Sequence, residues 1–110
     1  MAQNNKRLGA ETVAADTDKA LYTCPASTET IVSAIVVCNQ GASTNAYRIA
    51  FVDGAIGSVA NSDYIAYDTQ IAPNKSEIFN IGAAMEAADT ILVRSDSTDV
   101  NFVAFGVEIT

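Results

Sequence analysis

The segment Glu29–Asn39 constrains the fold of this chain most strongly, because it is apolar on both sides of an extended strand. Successive side chains of a strand point to opposite faces. Both alternating sets in this segment are largely apolar: Ile31, Ser33, Ile35 and Val37 on one side, and Val32, Ala34, Val36 and Cys38 on the other. Such a strand is expected in the middle of a sheet, with each face covered by a second sheet or by a neighbouring subunit.

Further runs rich in β-branched and aromatic residues follow along the chain. They occupy positions 19–24, 46–52, 63–68, 76–81, 91–94 and 100–109. Residues typical of turns separate the runs at a spacing of about 8–15 residues, close to that of a sandwich. The chain of 110 residues has the length of one domain. We predict a single all-β domain, an antiparallel β-sandwich of seven to eight strands with jelly-roll or Ig-like topology.

The same pattern gives more detailed expectations. The run at 46–52 is expected to form a hairpin with Glu29–Asn39, because a short turn-like segment joins them. The alanine-rich stretch 82–89 is expected to form a single helical turn between sheets. Tyr64 and Tyr67 are expected on opposite faces of one strand. The predicted core consists of Ile31, Ile35, Val37, Phe51, Phe79, Val103, Phe105 and Val107.

The composition argues against several classes of function. The chain has no His, which removes His-based acid–base, nucleophilic and metal chemistry. A Ser or Cys nucleophile would need Lys as its base, and the sequence contains no Ser-x-x-Lys motif. The 13 Asp and Glu outnumber the 6 Lys and Arg, so a nucleic-acid partner is not expected. We expect no enzymatic activity, no catalytic residues, no cofactor and no metal site.

The cysteines and one arginine have structural interpretations. Cys24 and Cys38 each lie in an apolar-rich segment, which favours two reduced core thiols. Alternatively, the two cysteines lie on neighbouring strands and form a disulfide. Arg48 is surrounded by apolar residues, so we expect a carboxylate partner across the sheet. The sequence shows no secretory signal and no apolar stretch of membrane-spanning length. We therefore expect synthesis in the cytoplasm and no membrane partner.

Short motifs along the chain resemble those of small virion structural proteins of tailed bacteriophages. Those proteins show a similar string of Leu-Gly, Leu-Tyr-Thr-x-Pro-Ala, Val-x-x-Cys-Asn, Arg-Ile/Val-Ala and Tyr-x-Ala-Tyr-Asp elements. The matching positions here are 8–9, 21–26, 31–33, 36–39, 47–50 and 64–68, and 102–108 resembles the end of those proteins. The resemblance covers about nine-tenths of the chain, and its motifs are structural rather than catalytic.

The resemblance implies a β-sandwich component of a bacteriophage virion, made in the host cytoplasm. The favoured role is a capsid decoration (cement) protein that bridges shell subunits. Its partners would be the major capsid protein or other virion proteins, and it would be a homo-oligomer, with a trimer favoured. The alternative is a tail, baseplate or fibre component that acts as an adhesion or receptor-binding module.

Two segments are the expected assembly contacts, because neither has an evident reason to be ordered alone. Residues 1–10 are polar and are expected to form an N-terminal arm in front of a sandwich domain at 11–110. The segment 53–62 is a long connection rich in small residues, and such connections lie at the surface. The individual contact residues predicted in and beside these segments are Lys6, Arg7, Leu8, Asp53, Gly54, Ile56, Gly57 and Tyr64.

Overall fold

In the computed structural model, which describes residues 2–110, the chain forms eight β-strands. Their bounds are β1 Gln3–Thr12, β2 Lys19–Thr23, β3 Glu29–Asn39, β4 Asn45–Val52, β5 Tyr64–Ile71, β6 Lys75–Met85, β7 Thr90–Ser95 and β8 Val100–Ile109. Two short 3-10 turns, Ile56–Ser58 and Asn61–Asp63, lie between β4 and β5. In the part of the chain described, no helix has the length and apolar character needed to cross a bilayer.

The strands form two four-stranded antiparallel sheets that pack face to face. Sheet A has the order β1-β8-β3-β6, and sheet B has the order β2-β7-β4-β5. The antiparallel neighbours therefore include the nested pairs β1 with β8, β2 with β7, β3 with β6, and β4 with β5. This nesting is the jelly-roll arrangement, in which one long rolled-up hairpin supplies both sheets. The predicted all-β sandwich is confirmed.

The core lies between the two sheets and is centred on aromatic contacts. Tyr47 of sheet B packs edge-on against Phe79 and Phe102 of sheet A, with ring centroids 6.2 and 6.1 Å apart. Such edge-to-face pairs add to the stabilisation from burial alone. Buried aliphatic side chains from both sheets surround the rings, among them Val32, Ile35, Val37, Ile49, Ile91 and Val93.

Two tyrosine hydroxyls connect the sheets by hydrogen bonds to carboxylates. Tyr22 on β2 donates to Glu108 Oε2 on β8, with an O···O distance of 2.6 Å, and its oxygen also lies 2.7 Å from Thr30 Oγ1. Tyr47 on β4 donates to Glu77 on β6. Because each hydroxyl is buried, its hydrogen bond offsets the cost of removing it from water.

The first residues of the chain differ from the predicted N-terminal arm. Residues 3–12 form strand β1, which pairs with β8 from Gln3 opposite Ile109 to Thr12 opposite Asn101. The arm was predicted because these side chains are polar. An edge strand, however, is held mainly by its backbone ladder and can expose most of its side chains. Leu8 is the exception, since a bulge turns it to pack against the core. Met1, which belonged to the predicted arm, lies outside the described residues.

The predicted hairpin between β3 and β4 is wrong. Strand β3 pairs with β6 and β8 in sheet A, whereas β4 lies in sheet B. The buried Asn39 side chain holds the chain where it crosses between sheets. Its Nδ2 donates to Ser43 O at 2.9 Å and to Ile71 O at 3.1 Å, while its Oδ1 accepts from the Gly41 N–H at 2.9 Å. These bonds satisfy backbone groups in and beside the connection from β3 to β4 and direct the chain from sheet A to sheet B.

The faces of β3 and β8 differ from the predicted core. Ile35 and Val37 are buried as predicted, and Phe51 and Phe79 pack against the core from its margin. Ile31 and Phe105, however, are each 42% exposed on the outside of sheet A. A bulge at Ser33 reverses the alternation of β3, so Val32 points inward. On β8, Phe102 and Ala104 point inward, which turns the predicted core residues Val103 and Val107 outward.

The predicted helical turn at 82–89 is also replaced by other structure. Strand β6 continues to Met85, because its alanines pair with β3: Ala84 lies opposite Ile31 and Ala83 opposite Val32. A tight turn at 86–89 follows, and the Asp89 carboxylate accepts a hydrogen bond from the Glu86 N–H at 2.9 Å. Tertiary pairing thus overrides the helix propensity of alanine.

Both cysteines are free thiols in the structure. Cys24 is buried, and its Sγ lies 3.3 Å from Thr28 O and 3.2 Å from Thr30 Oγ1. Cys38 is only partly buried and lies on the outward side of β3. The prediction of a core thiol is therefore confirmed for Cys24, whereas Cys38 lies at the surface of sheet A.

Candidate interaction surface

The outer side of sheet A, which we call the apolar face, is lined by aliphatic and aromatic side chains. It consists of the outward-pointing apolar residues of three neighbouring strands: Val103, Phe105, Val107 and Ile109 of β8, Ile31, Ala34 and Val36 of β3, and Ile78 and Ala84 of β6. Ile78 is 61% exposed, the largest value among the exposed large hydrophobic residues. The face is therefore open to solvent in a single copy of the chain.

The strand register makes the apolar face continuous across the sheet. Val36 on β3 lies opposite Val103 on β8 and Ile78 on β6. Likewise, Ile31 lies opposite Val107 on β8 and Ala84 on β6. Side chains directly opposite each other on neighbouring strands lie in contact range. The apolar side chains therefore form transverse rows rather than isolated exposed residues.

Charge is nearly absent from this face. By strand alternation, only two of the chain's charged side chains point outward from sheet A. Arg7 lies on the edge strand β1, opposite Phe105, and Glu29 begins β3, opposite Ile109. The other Asp, Glu, Lys and Arg residues lie on sheet B, in the connections between strands, or at positions of sheet A directed toward the core side. In a chain with a net charge of −7, an apolar face with balanced charge is a distinct surface.

Close approach of β3 and β8 fixes the geometry of this face. A Cβ atom at Gly106 would lie 2.3 Å from the Ile31 carbonyl oxygen, so only glycine allows the two backbones to approach this closely. The Ser33 hydroxyl, at the bulge of β3, donates to the Phe105 carbonyl oxygen at 3.1 Å. These contacts hold Ile31 and Phe105 in place on the same side of the sheet.

The outer side of sheet B differs because the chain itself covers part of it. The connection 53–63, which we call the cover loop, folds back over β4 and β7. Its Ile56 and Val59, together with Tyr64 at the start of β5, pack on a buried cluster of Ala50, Val52 and Leu92. Gly54 has a φ of +104° at the start of the cover loop, a conformation that favours glycine. The cover loop thus buries an apolar patch of sheet B within one copy of the chain.

The rest of the outer side of sheet B carries ion pairs. Arg48 donates from Nε to Asp68 Oδ1 at 2.7 Å and from Nη2 to Asp68 Oδ2 at 3.2 Å, and its guanidinium lies 4.0 Å from the centre of the Tyr67 ring. These hydrogen bonds raise the pKa of Arg48 and lower the pKa of Asp68. Arg94 pairs with Asp18 at 3.3 Å. The predicted carboxylate partner of Arg48 is confirmed, and it is Asp68.

Tyr64 and Tyr67 form an aromatic pair on the outside of sheet B, contrary to the expectation that they occupy opposite faces. Their ring centroids are 4.9 Å apart with the planes nearly perpendicular, and both rings line a shallow pocket with Asn61. The pairing of β5 with β4 shifts its register between Tyr64 and Ala66, so an extra residue lies between the two tyrosines. Each extra residue turns the following side chains to the other face, which places both rings on the outside of sheet B.

The predicted contact residues fall into two groups that the fold keeps apart. Lys6, Arg7 and Leu8 lie on β1 of sheet A, where Lys6 forms an ion pair with Glu108 at 3.2 Å. The other predicted contacts lie in or beside the cover loop on the outside of sheet B: Asp53, Gly54, Ile56, Gly57 and Tyr64. The apolar face was not predicted as a site. Its signal in the sequence was the apolar character of both sides of Glu29–Asn39, together with the alternation of Val103, Phe105 and Val107.

Within residues 2–110, no group of three or more Cys, Asp or Glu side chains lies close enough together to hold a metal ion. No known family model matches the chain, and the search of curated proteins found no match.

Proposed function

We propose that this protein is a non-enzymatic structural component of a bacteriophage virion, acting as a capsid decoration protein. The observation that carries the proposal is the apolar face, a nearly uncharged sheet surface on a strongly acidic chain. Exposed apolar patches that extend over several strands mark surfaces that bind other proteins. A protein that works by burying such a surface needs no catalytic group, which agrees with the lack of His.

The fold and the sequence motifs support the same role. Jelly rolls occur in viral capsid domains and in lectins, although a fold by itself does not determine a function. The motifs at 21–26, 47–50 and 64–68 resemble those of small virion proteins of tailed bacteriophages. The net charge of −7 suits a position away from packaged DNA, because like charges repel. The partners would be the major capsid protein or other virion proteins, with neither nucleic acid nor membrane bound directly.

Glu108 and Glu77 accept hydrogen bonds from tyrosines of the opposite sheet, which supports a role without catalysis. Glu108 accepts hydrogen bonds from Tyr22 and Lys6, and these lower its pKa. Burial and the hydrogen bond to Glu108 raise the pKa of Tyr22. Burial and the bond to Glu77 similarly raise the pKa of Tyr47. Neither tyrosine is therefore suited to proton transfer near neutral pH.

The experiment that tests the proposal is to locate this chain in an intact particle by cryo-electron microscopy. We expect many copies on the outer surface of the shell, in contact with several shell subunits. A decoration protein acts by repetition, so a weak contact per copy is sufficient when many copies bind one shell. Absence of the chain from purified particles would contradict the proposal.

A binding assay with purified shells tests the predicted contacts of the cover loop. Gly57 is exposed and has nothing within 4 Å of a Cβ atom added to it. Gly57→Glu therefore adds charge and bulk to the cover loop without a clash. We expect it to weaken shell binding, whereas Ala87→Glu, at an exposed position in the turn 86–89, leaves binding unchanged. Equal binding by both variants would show that the cover loop does not contact the shell.

A second candidate function is an adhesion module of the tail, baseplate or fibre. The observation that favours it is the Tyr64–Tyr67 pair, because Tyr67 is 57% exposed and shares a shallow pocket with Asn61. Exposed aromatic rings beside an amide suit carbohydrate or protein recognition. Density only at the tail tip, together with loss of host-cell adsorption in a Tyr67→Ala variant, would favour this function over capsid decoration.

A further inference from the structure

The apolar face is large enough to serve as a complete protein–protein interface. Its strands contain 10 or 11 residues, and at about 3.3 Å per residue they are roughly 33 Å long. At about 4.8 Å spacing, the three strands of the apolar face give a projected area on the order of 500 Å², and β1, which carries Arg7, raises it to about 600 Å². Side-chain relief increases the accessible area toward the roughly 800 Å² that each partner buries in a standard interface. The face therefore has the size required for a stable dimer.

The charges on the face favour a second copy of the chain as the occupant. Arg7 and Glu29 are the two outward charges of sheet A, and they cancel. A strongly charged partner would gain no attraction from such a face, whereas a second copy presents the same balanced pair. Two copies of a chain with a net charge of −7 also repel least where acidic side chains are fewest.

The register places the two charges symmetrically about one residue. Arg7 on β1 lies opposite Phe105 on β8, and Glu29 on β3 lies opposite Ile109 on β8. Since β8 lies between β1 and β3, the midpoint of the line from Arg7 to Glu29 falls on Val107. A two-fold axis that lies in the plane of the face, passes over Val107 and runs perpendicular to that line therefore exchanges the positions of Arg7 and Glu29. The same rotation brings Phe105 close to Ile31 of the second copy.

We infer that two copies of this chain pair through their apolar faces across a two-fold axis, with Arg7 of each copy facing Glu29 of the other. The inference rests on the proposed function only in treating the protein as an assembly component, and it names the partner of this face. The interface is isologous, so every contact occurs twice. The product is a four-layered stack in which the two copies of sheet A pack about 10 Å apart. The phage-protein resemblance favours a trimer, whereas this charge arrangement favours a dimer.

A pair of isoleucine variants tests the apolar contact. Ile31 on the apolar face is 42% exposed, and Ile65 on sheet B is 43% exposed. The same substitution at the two sites therefore has a similar effect on each copy alone. By sedimentation equilibrium, we expect a dimer for the full wild-type chain and a dissociation constant raised about 10-fold or more by Ile31→Thr, because two side chains are lost from the interface. We expect Ile65→Thr to leave the dissociation constant unchanged.

A charge exchange tests the identity of the partner. Arg7→Glu and Glu29→Arg should each weaken the dimer, because like charges then meet twice in the symmetric interface. An equimolar mixture of the two variants should dimerise more strongly than either variant alone, since each contact again joins opposite charges. These exposed positions also keep the test valid if Ile31→Thr fails to fold.

Several outcomes would overturn the inference. They are a wild-type monomer at concentrations well above those of the shell-binding assay, a trimeric mass, an equal loss in the Ile65→Thr control, and no recovery in the mixture of charge variants. Failure of the proposed function is recognised separately. A dimer that never binds shells keeps the inference and rejects capsid decoration, whereas a monomer that binds shells does the reverse.

Discussion

The outer sides of the two sheets differ in how their apolar residues are covered. Both carry apolar residues on central strands: Val52 and Leu92 on sheet B, and Val36 and Phe105 on sheet A. On sheet B the cover loop packs over these residues, and ion pairs occupy the remaining surface. On sheet A they stay open to solvent. Burial of the apolar residues is therefore completed within a single copy on sheet B, whereas on sheet A a single copy leaves them exposed.

The largest expected loss of stability is for a substitution on the core side of β8, compared with one on its outer side. Phe102 is fully buried between the sheets, and Phe105 lies on the apolar face of the same strand. Phe102→Ala should lower the free energy of unfolding by about 3–5 kcal/mol, because it leaves a cavity beside Tyr47. Phe105→Ala should cost the isolated copy about 1 kcal/mol, since that ring is partly exposed already. Urea unfolding at low protein concentration measures both values, and a similar loss in both variants would contradict the assignment of the faces.

The next effect compares matched outward positions of the two sheets. Leu92 points outward from sheet B but is fully buried beneath the cover loop. Leu92→Ala should cost about 2–4 kcal/mol, as for other buried leucines. Ile78→Ala, at the most exposed site of the apolar face, should change the stability of a single copy by less than about 0.5 kcal/mol. If Leu92→Ala were equally mild, the cover loop would not protect sheet B as described.

A smaller, pH-dependent effect tests the connection between the sheets. The hydrogen bonds from Tyr22 and Lys6 hold the pKa of Glu108 below its ordinary value of 4.5. A carboxyl group with a lowered pKa stabilises the fold above that ordinary value, and the contribution is lost as the pH falls through the folded-state pKa. Glu108→Gln should therefore cost about 1 kcal/mol at neutral pH. The difference from the wild type should shrink in acid, as measured by urea unfolding across the pH range. A difference that does not depend on pH would contradict the role of the ionised form.

The smallest effect concerns the exposed ion pair of sheet B. Asp68→Asn removes the charge that Arg48 contacts, while Arg48 keeps its position over the Tyr67 ring. Exposed ion pairs contribute little and are screened by salt. We expect a small shift of the denaturation midpoint at low ionic strength, and none at high ionic strength. A large loss that persists in salt would mean that the pair supports β5 in another way.

The strands were predictable where the residue pattern and the pairing agree. Glu29–Asn39 and 100–109 were predicted with the bounds that the structure shows for β3 and β8. Strand β1 was missed because Gln3–Thr12 is mostly polar, and its extended form is imposed by the ladder with β8. Local composition does not contain that information, since the partner lies at the other end of the chain.

The apolar face was predictable only in part. The apolar character of both sides of Glu29–Asn39 indicated that a second sheet or a neighbouring subunit covers each side. It did not indicate which side faces the core, because two apolar sets satisfy either register. The bulge at Ser33 and the close approach at Gly106 decide this. Both depend on the neighbouring strand, so Ile31 and Phe105 were assigned to the core instead of the surface.

The nested pairing of the strands has a consequence for the order in which the protein forms during translation. Strand β8 inserts between β1 and β3, and the chain ends meet where Ala2 and Thr110 exchange backbone hydrogen bonds of 2.9 Å in both directions. While β8 is still inside the ribosome, sheet A is open between β1 and β3, and the central row of the apolar face does not exist. Long-range pairing of this kind is slow to form. The apolar face is therefore completed only when β8, the last of the four strands of sheet A in the sequence, pairs with β1 and β3.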